Sequence, residues 1–228
     1  MQIISNWVLT NPDLTMYYIN IEDKPIVQRF LDEMRNALDR IEFFYPYMGD
    51  ELQEVILGGN FVGVFDKDEL VATIALDKDK QYASQIASIV SRCTRGAISP
   101  QYIYEMSGVM VHPRYRGQGL AKELVAYIQS IAKQQDCHYI CAVVQLDNVA
   151  SIKTMLSRGF CLAGVYAMGG EYDFGYFVYC TDSPIVTDAP TTCVAGRDMQ
   201  GHLSMLSQGY VGTQIRSSGI DYSPILSK

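Results

Sequence analysis

Residues 105 to 121 read Glu-Met-Ser-Gly-Val-Met-Val-His-Pro-Arg-Tyr-Arg-Gly-Gln-Gly-Leu-Ala and hold the residue types best suited to gripping a phosphate. Val109, Met110 and Val111 form an apolar, β-branched run that stops at Pro113. A basic turn follows with Arg114, Arg116, Gly117 and Gly119, and a helical pattern opens at about Leu120. The first amides of a helix have no intrahelical acceptor, and the dipole places about +0.5 charge at that end. A strand that ends, a bare backbone and a new helix N-terminus together make an anion site. Gly117 and Gly119 allow close approach and positive φ, so the amides from Arg116 through Gln118 and Leu120 to Ala121 can face phosphate oxygens.

The surrounding pattern supplies elements to position this turn. Met16 to Ile21 reads as a first strand, and Pro25 opens a helix carrying Ile26, Phe30, Leu31, Met34 and Leu38. Asp50 to Leu57 reads as a second helix with an acidic cap and a stop at Gly58-Gly59. Phe61 to Phe65 and Leu70 to Leu76 form a hairpin about Asp66 to Glu69. A short helix near 83 to 91 and a strand over about 101 to 111 precede the turn. The helix Leu120 to Gln134 follows it, with Leu120, Leu124, Ile128 and Ile131 on one face. Tyr139 to Val144 is a continuous apolar strand. Asn148 to Arg158 is a helix stopped by Gly159, and strands over about 160 to 168 and 172 to 180 meet at Gly169-Gly170.

Composition shifts after Cys180 towards Ser, Thr, Gly and Pro. Met199, Leu203, Met205, Leu206 and Tyr210 are more apolar than a solvated tail requires, which favours an arm packed on the body or on a partner. The expected division is therefore a domain over residues 1–180 and an extension over 181–228. With 48% hydrophobic and 19% charged residues, the composition is that of a soluble globular protein. A net charge of −7 argues against nucleic acid or an anionic membrane as the main partner. The first residues lack a signal-peptide pattern, and no apolar run reaches the ~20 residues of a membrane span. Six scattered cysteines then read as reduced thiols in a cytoplasmic protein.

The order of elements, with Val-x-Val-His-Pro-x-Tyr-Arg-Gly-Gln-Gly-Leu-Ala after the fourth main strand, resembles the GCN5-related N-acetyltransferases. Arg114-x-x-Gly117-x-Gly119 matches the family's phosphate motif, and Asn148-x-x-Ser151 with Arg158-Gly159-Phe160 matches its second signature. The resemblance covers about residues 16 to 180 and implies an α/β fold with a mixed, splayed sheet flanked by helices. It implies acetyl-CoA as acyl donor and a small-molecule or peptide amine as acceptor. The pyrophosphate falls to the turn, the pantetheine arm to the backbone of Val109, Met110 and Val111, and a further contact to Asn148 and Ser151. It also implies Glu105 as general base, an acceptor pocket shaped by Phe43, Phe44, Tyr45 and Tyr47, and a homodimer. The chain departs from the pattern at Met155, seven residues past Asn148, where many members carry a proton-donating Tyr. A non-catalytic acetyl-CoA sensor, or transfer of another acyl group or to another acceptor, therefore stands as the alternative.

Each motif also has a plainer reading. The glycines suit any strand-to-helix turn, Asn148 suits a simple N-cap, and Glu105 suits a solvated strand end. A dinucleotide fold fits poorly, because Lys122 stands at the third glycine position and Asp147 lies 28 residues past Gly119. Cys137-His138-x-x-Cys141 has no second ligand pair, so no metal is expected. Cys141 sits in an apolar run that keeps a thiol protonated. His202 has no partner that the sequence names.

Overall fold

The computed structural model describes residues 1–38, 40, 43, 47, 50–78, 83–94, 97–167, 173–182 and 184–226. The first elements are β1 (Gln2–Ile3), β2 (Leu14–Tyr18), α1 (Lys24–Ala37), α2 (Glu51–Leu57), β3 (Phe61–Asp66), β4 (Glu69–Lys78) and α3 (Ala83–Thr94). There follow β5 (Ile103–Val111), α4 (Leu120–Ala132), β6 (Tyr139–Gln145), α5 (Val149–Ser157), β7 (Cys161–Ala167) and β8 (Asp173–Cys180). The chain closes with β9 (Thr192–Val194), α6 (Met199–Ser207), β10 (Tyr210–Arg216) and β11 (Gly219–Pro224). Two compact units divide these elements, one of residues 1–77 with 106–130 and the other of 78–105 with 131–228.

In the first unit the strands run β1, β2, β3, β4 and the later part of β5, antiparallel from β1 to β4. Pro25 lies in the first turn of α1, and Val27, Phe30, Leu31 and Met34 are its buried stripe. With Leu52 and Ile56 of α2 they close on Phe61, Phe65, Leu70 and Ala75 of the hairpin. Burying each such side chain is worth roughly 1.5–3 kcal/mol. Lys67 turns that hairpin at φ 53°. Leu120, Leu124 and Ile128 are buried along α4 as the helical spacing predicts. The acidic cap expected at Asp50 is not made: its backbone is already helical (φ −88°, ψ −2°), and its side chain makes no capping bond.

In the second unit the order is the start of β5, then β6, β8, β7, β10, β11 and β9. The β5–β6 pair is parallel over Ile103–Tyr139, Tyr104–Ile140 and Glu105–Cys141, and the other pairs are antiparallel. Helix α3 covers one face of this sheet with Ile86, Ile89 and Val90 on Cys141, Ala163, Tyr176 and Val178. Gly164 permits that approach, since a Cβ there would stand 3.0 Å from Ile89 Cδ1 and 3.2 Å from Tyr176 Cδ2. The opposite face bears Tyr179, whose ring lies 5.4 Å from that of Phe160, just past α5.

The residues after Cys180 hold β9, α6, β10 and β11, with Gly212 of β10 paired to Leu162 of β7. Apolar content predicted contact but not strands, because alternation in β10 is masked by Gly, Thr and Gln. The expected turn at Gly169-Gly170 lies outside the described residues, as do Phe44 and Tyr45. Cys93, Cys137, Cys141, Cys161 and Cys180 are buried free thiols. Burial pushes Cys93 up to about 11 and Cys161 up to about 12. Among the described residues, no helix is long and apolar enough to cross a membrane.

Candidate active site

Strand β5 ends at Val111, and His112 begins a short 3-10 turn over Pro113–Tyr115. The Arg114 amide donates to His112 Nδ1 at 3.3 Å, and the Arg116 Nε–H donates to the Val111 carbonyl at 3.0 Å. These bonds fix where the chain leaves the strand. Gly117 and Gly119 follow at φ +74° and +86°, the left-handed region, with nothing within 4 Å of a Cβ at either. Glu123 N–H bonds back to the Gly119 carbonyl, so α4 starts on that glycine. Among the described residues the amides of Gly117, Gln118, Gly119, Leu120 and Ala121 have no hydrogen-bond partner.

This open cradle of five N–H groups on a helix dipole fits a phosphate. The arginines contribute less than their number suggests. Arg114 forms an ion pair with Glu69, and both side chains are exposed. A cavity of about 200 Å³ adjoins the turn, lined in part by Leu9, Gln118, Leu120 and Glu123.

Upstream on the same unit, Ser107 to Val111 are half-buried. Gly108 interrupts the strand at φ +59°. Thr73 Oγ1 donates to its carbonyl at 2.8 Å, and a Cβ there would overlap the Tyr47 hydroxyl. That hydroxyl lies 3.2 Å from Ser107 Oγ. The sequence grouped Tyr47 with neighbouring aromatics; its place on β5 has no local signal, since 60 residues separate it from Ser107.

On the second unit, Glu105 is half-buried in register with Cys141. Asn148 caps α5, with its Oδ1 accepting from the Ser151 amide at 3.1 Å. Just before it, the Arg197 guanidinium holds both carboxylate oxygens of Asp147, with Nε at 2.9 Å from Oδ1. Sequence reasoning missed Arg197 entirely. Cys137 and His138 precede β6 rather than lying on it, and His138 stacks on Tyr102 at 4.5 Å. Among the described residues no group of three or more potential ligands is placed to hold a metal ion.

A family model described as the Acetyltransferase (GNAT) family matches residues 24–160, more than half of the chain. The chain belongs to this acetyltransferase family. Solved structures share its fold at low identity. NAA60 of Arabidopsis thaliana in complex with acetyl-CoA has 17% identity and a TM-score of 0.56, over 73% of this chain and 99% of that one. An N-acetyltransferase from Staphylococcus aureus has 16% identity and a TM-score of 0.56, over 74% and 99%. The Salmonella typhimurium putative acetyltransferase yncA, with its cofactor acetyl-CoA, has 17% identity and a TM-score of 0.54, over 78% and 99%. No curated protein matches the chain.

Membership in the family makes the chain an acyltransferase and gives Met155 its importance. It is 1% exposed, within α5, and a thioether has no proton to give.

Proposed function

We propose that this acetyltransferase uses acetyl-CoA and passes the acetyl group directly to a primary amine of a small molecule or peptide. The unpartnered amides of Gly117 to Ala121 carry the proposal, because they offer a pyrophosphate a ready set of donors. In this reading Arg114, Arg116, Gly117, Gln118, Gly119, Leu120 and Ala121 hold the pyrophosphate. The backbone of Val109, Met110 and Val111 takes the pantetheine arm, and an amide there holds charge developing on the carbonyl oxygen. On the second unit, Asn148 and Ser151 are the residues that the family resemblance gives to the same arm. The donor supplies an acetyl group activated as a thioester.

Glu105 serves as general base, taking a proton from the acceptor ammonium directly or through water. With Met155 excluded, Tyr47 and Ser107 are the candidates for the proton donor, since their hydroxyls meet beside Gly108. We keep residues 1–180 as the acetyltransferase domain and 181–228 as its extension; the family match lies within the first of these. A cytoplasmic homodimer completes the proposal; its buried free thiols suit a reducing compartment.

The test mixes the protein, acetyl-CoA and a broad panel of amines and follows free thiol. Thiol release with at least one amine is expected. Tight acetyl-CoA binding without release would favour the second reading, a non-catalytic sensor, which Met155 supports.

A further inference from the structure

Local bonds close the 3-10 turn over Pro113–Tyr115, but little packs against the residues that follow it. Arg116, Gly117, Gln118 and Gly119 are exposed, and both glycines are left-handed with open space where a Cβ would stand. Glycine loses more conformational freedom on folding than any other residue, so two of them in an exposed turn need outside support. The β3–β4 hairpin supplies it. The His112 amide donates to the Val71 carbonyl at 2.8 Å, and Arg114 pairs with Glu69. The third contact is the Tyr115 hydroxyl, which donates to Asp66 Oδ2 at 2.6 Å across 49 residues of sequence.

The two side-chain contacts are unequal. The Arg114–Glu69 pair is exposed and therefore worth little. The Tyr115–Asp66 bond is short and charge-assisted, between two half-buried residues. By accepting that bond, Asp66 raises the pKa of the phenol, which therefore stays a donor. Asp66 is itself fixed, since it ends β3 between Leu14 on one side and Glu69 on the other. Gly117, the first amide of the cradle, lies only two residues beyond Tyr115.

We infer that Tyr115 and Asp66 are positioning residues, whose bond sets the direction in which the amides of Gly117 to Ala121 face a bound phosphate. This rests on the function proposed above and deepens it, because donor binding then depends on a hairpin residue of the wrong charge for an anion. Charge and position make opposite predictions at Asp66. As a charge, its carboxylate repels a phosphate, and removing it strengthens binding. As a brace, it keeps the turn in its binding-competent shape. Removing it lowers the fraction of molecules in that shape and weakens binding in proportion.

The experiment measures acetyl-CoA binding by calorimetry on the full chain at fixed ionic strength, with Tm recorded beside it. Binding by the wild type comes first, and its absence would remove the proposed function and this inference with it. Tyr115→Phe should raise Kd about fivefold. Asp66→Leu should raise it by a similar factor although it deletes a negative charge, and the double variant should bind no worse than either alone. Asp66→Asn still offers the phenol an acceptor and should restore most of the affinity. Asp66→Ala replaces the leucine variant if that one fails to fold. Tighter binding by Asp66→Leu would leave Asp66 acting as a charge alone and overturns the inference. So do additive losses in the double variant, which would give Tyr115 a separate contact with the ligand. A lowered Tm with unchanged Kd in Tyr115→Phe would make the bond a support of the fold only, and would also overturn it.

Discussion

Arg197 grips the carboxylate of Asp147 with two guanidinium nitrogens, one residue before the Asn148 cap of α5. The extension thereby reaches the loop that opens α5, and Gly196 lies against the Leu146 carbonyl, where a Cβ would stand at 3.6 Å. An exposed pair of this kind is worth little to stability, so its effect falls on the orientation of the cap. Arg197→Ala should weaken acetyl-CoA binding about two- to fivefold with kcat at saturation unchanged, and Arg197→Lys should recover part of it. Calorimetry beside steady-state kinetics reads both, and unaltered affinity would detach Arg197 from the donor.

Gly119 tests the cradle. A side chain there meets open space, so Gly119→Ala should cost about 1 kcal/mol of stability from its left-handed backbone alone. The same change should turn the amides and weaken acetyl-CoA binding by at least an order of magnitude. A variant with lowered Tm and intact affinity would refute the phosphate role.

Glu105→Gln keeps the shape and removes the base. Turnover should fall about a hundredfold while acetyl-CoA affinity holds. Full activity in a saturating assay would eliminate Glu105.

Tyr47→Phe keeps the ring, which packs with Phe61 and its neighbours, and removes only the hydroxyl. If that hydroxyl is the proton donor, kcat should drop about a hundredfold with the acetyl-CoA KM unchanged. A drop seen only in Ser107→Ala would move the role to the serine.

His202 is expected to make the fold less stable in acid. It is fully buried, its Nε2–H donates to the Gly196 carbonyl at 3.1 Å, and its Nδ1 accepts from the Tyr222 hydroxyl at 2.8 Å. Burial holds its pKa below the usual histidine range. Below about pH 6.5 the unfolded chain therefore binds a proton that the folded chain refuses, so stability falls as the solution is acidified. Tm measured from pH 7.5 to 5 should decline, and His202→Gln should flatten the slope. Parallel slopes would rule out His202 as the cause.

The turn at Gly117–Gly119 and the cap at Asn148 were legible in the sequence because their chemistry is local: a left-handed glycine and a side chain bonding three residues on. The stripe of α4 was legible because its period is that of the helix. Arg197 and Asp147 meet across 50 residues, and Tyr115 and Asp66 across 49. No spacing rule reports either. The strands of the extension were missed because β10 carries Gly, Thr and Gln where alternation should have shown.

Glu69 gives the phosphate turn an anion of its own, resting on Arg114. That carboxylate is a resident counter-ion, and it cancels the charge that a phosphate would otherwise meet at this side chain. Attraction then rests on Arg116 and on neutral N–H groups, and the latter select by shape and direction rather than by net charge. Binding at this turn should vary less with ionic strength than its arginines suggest.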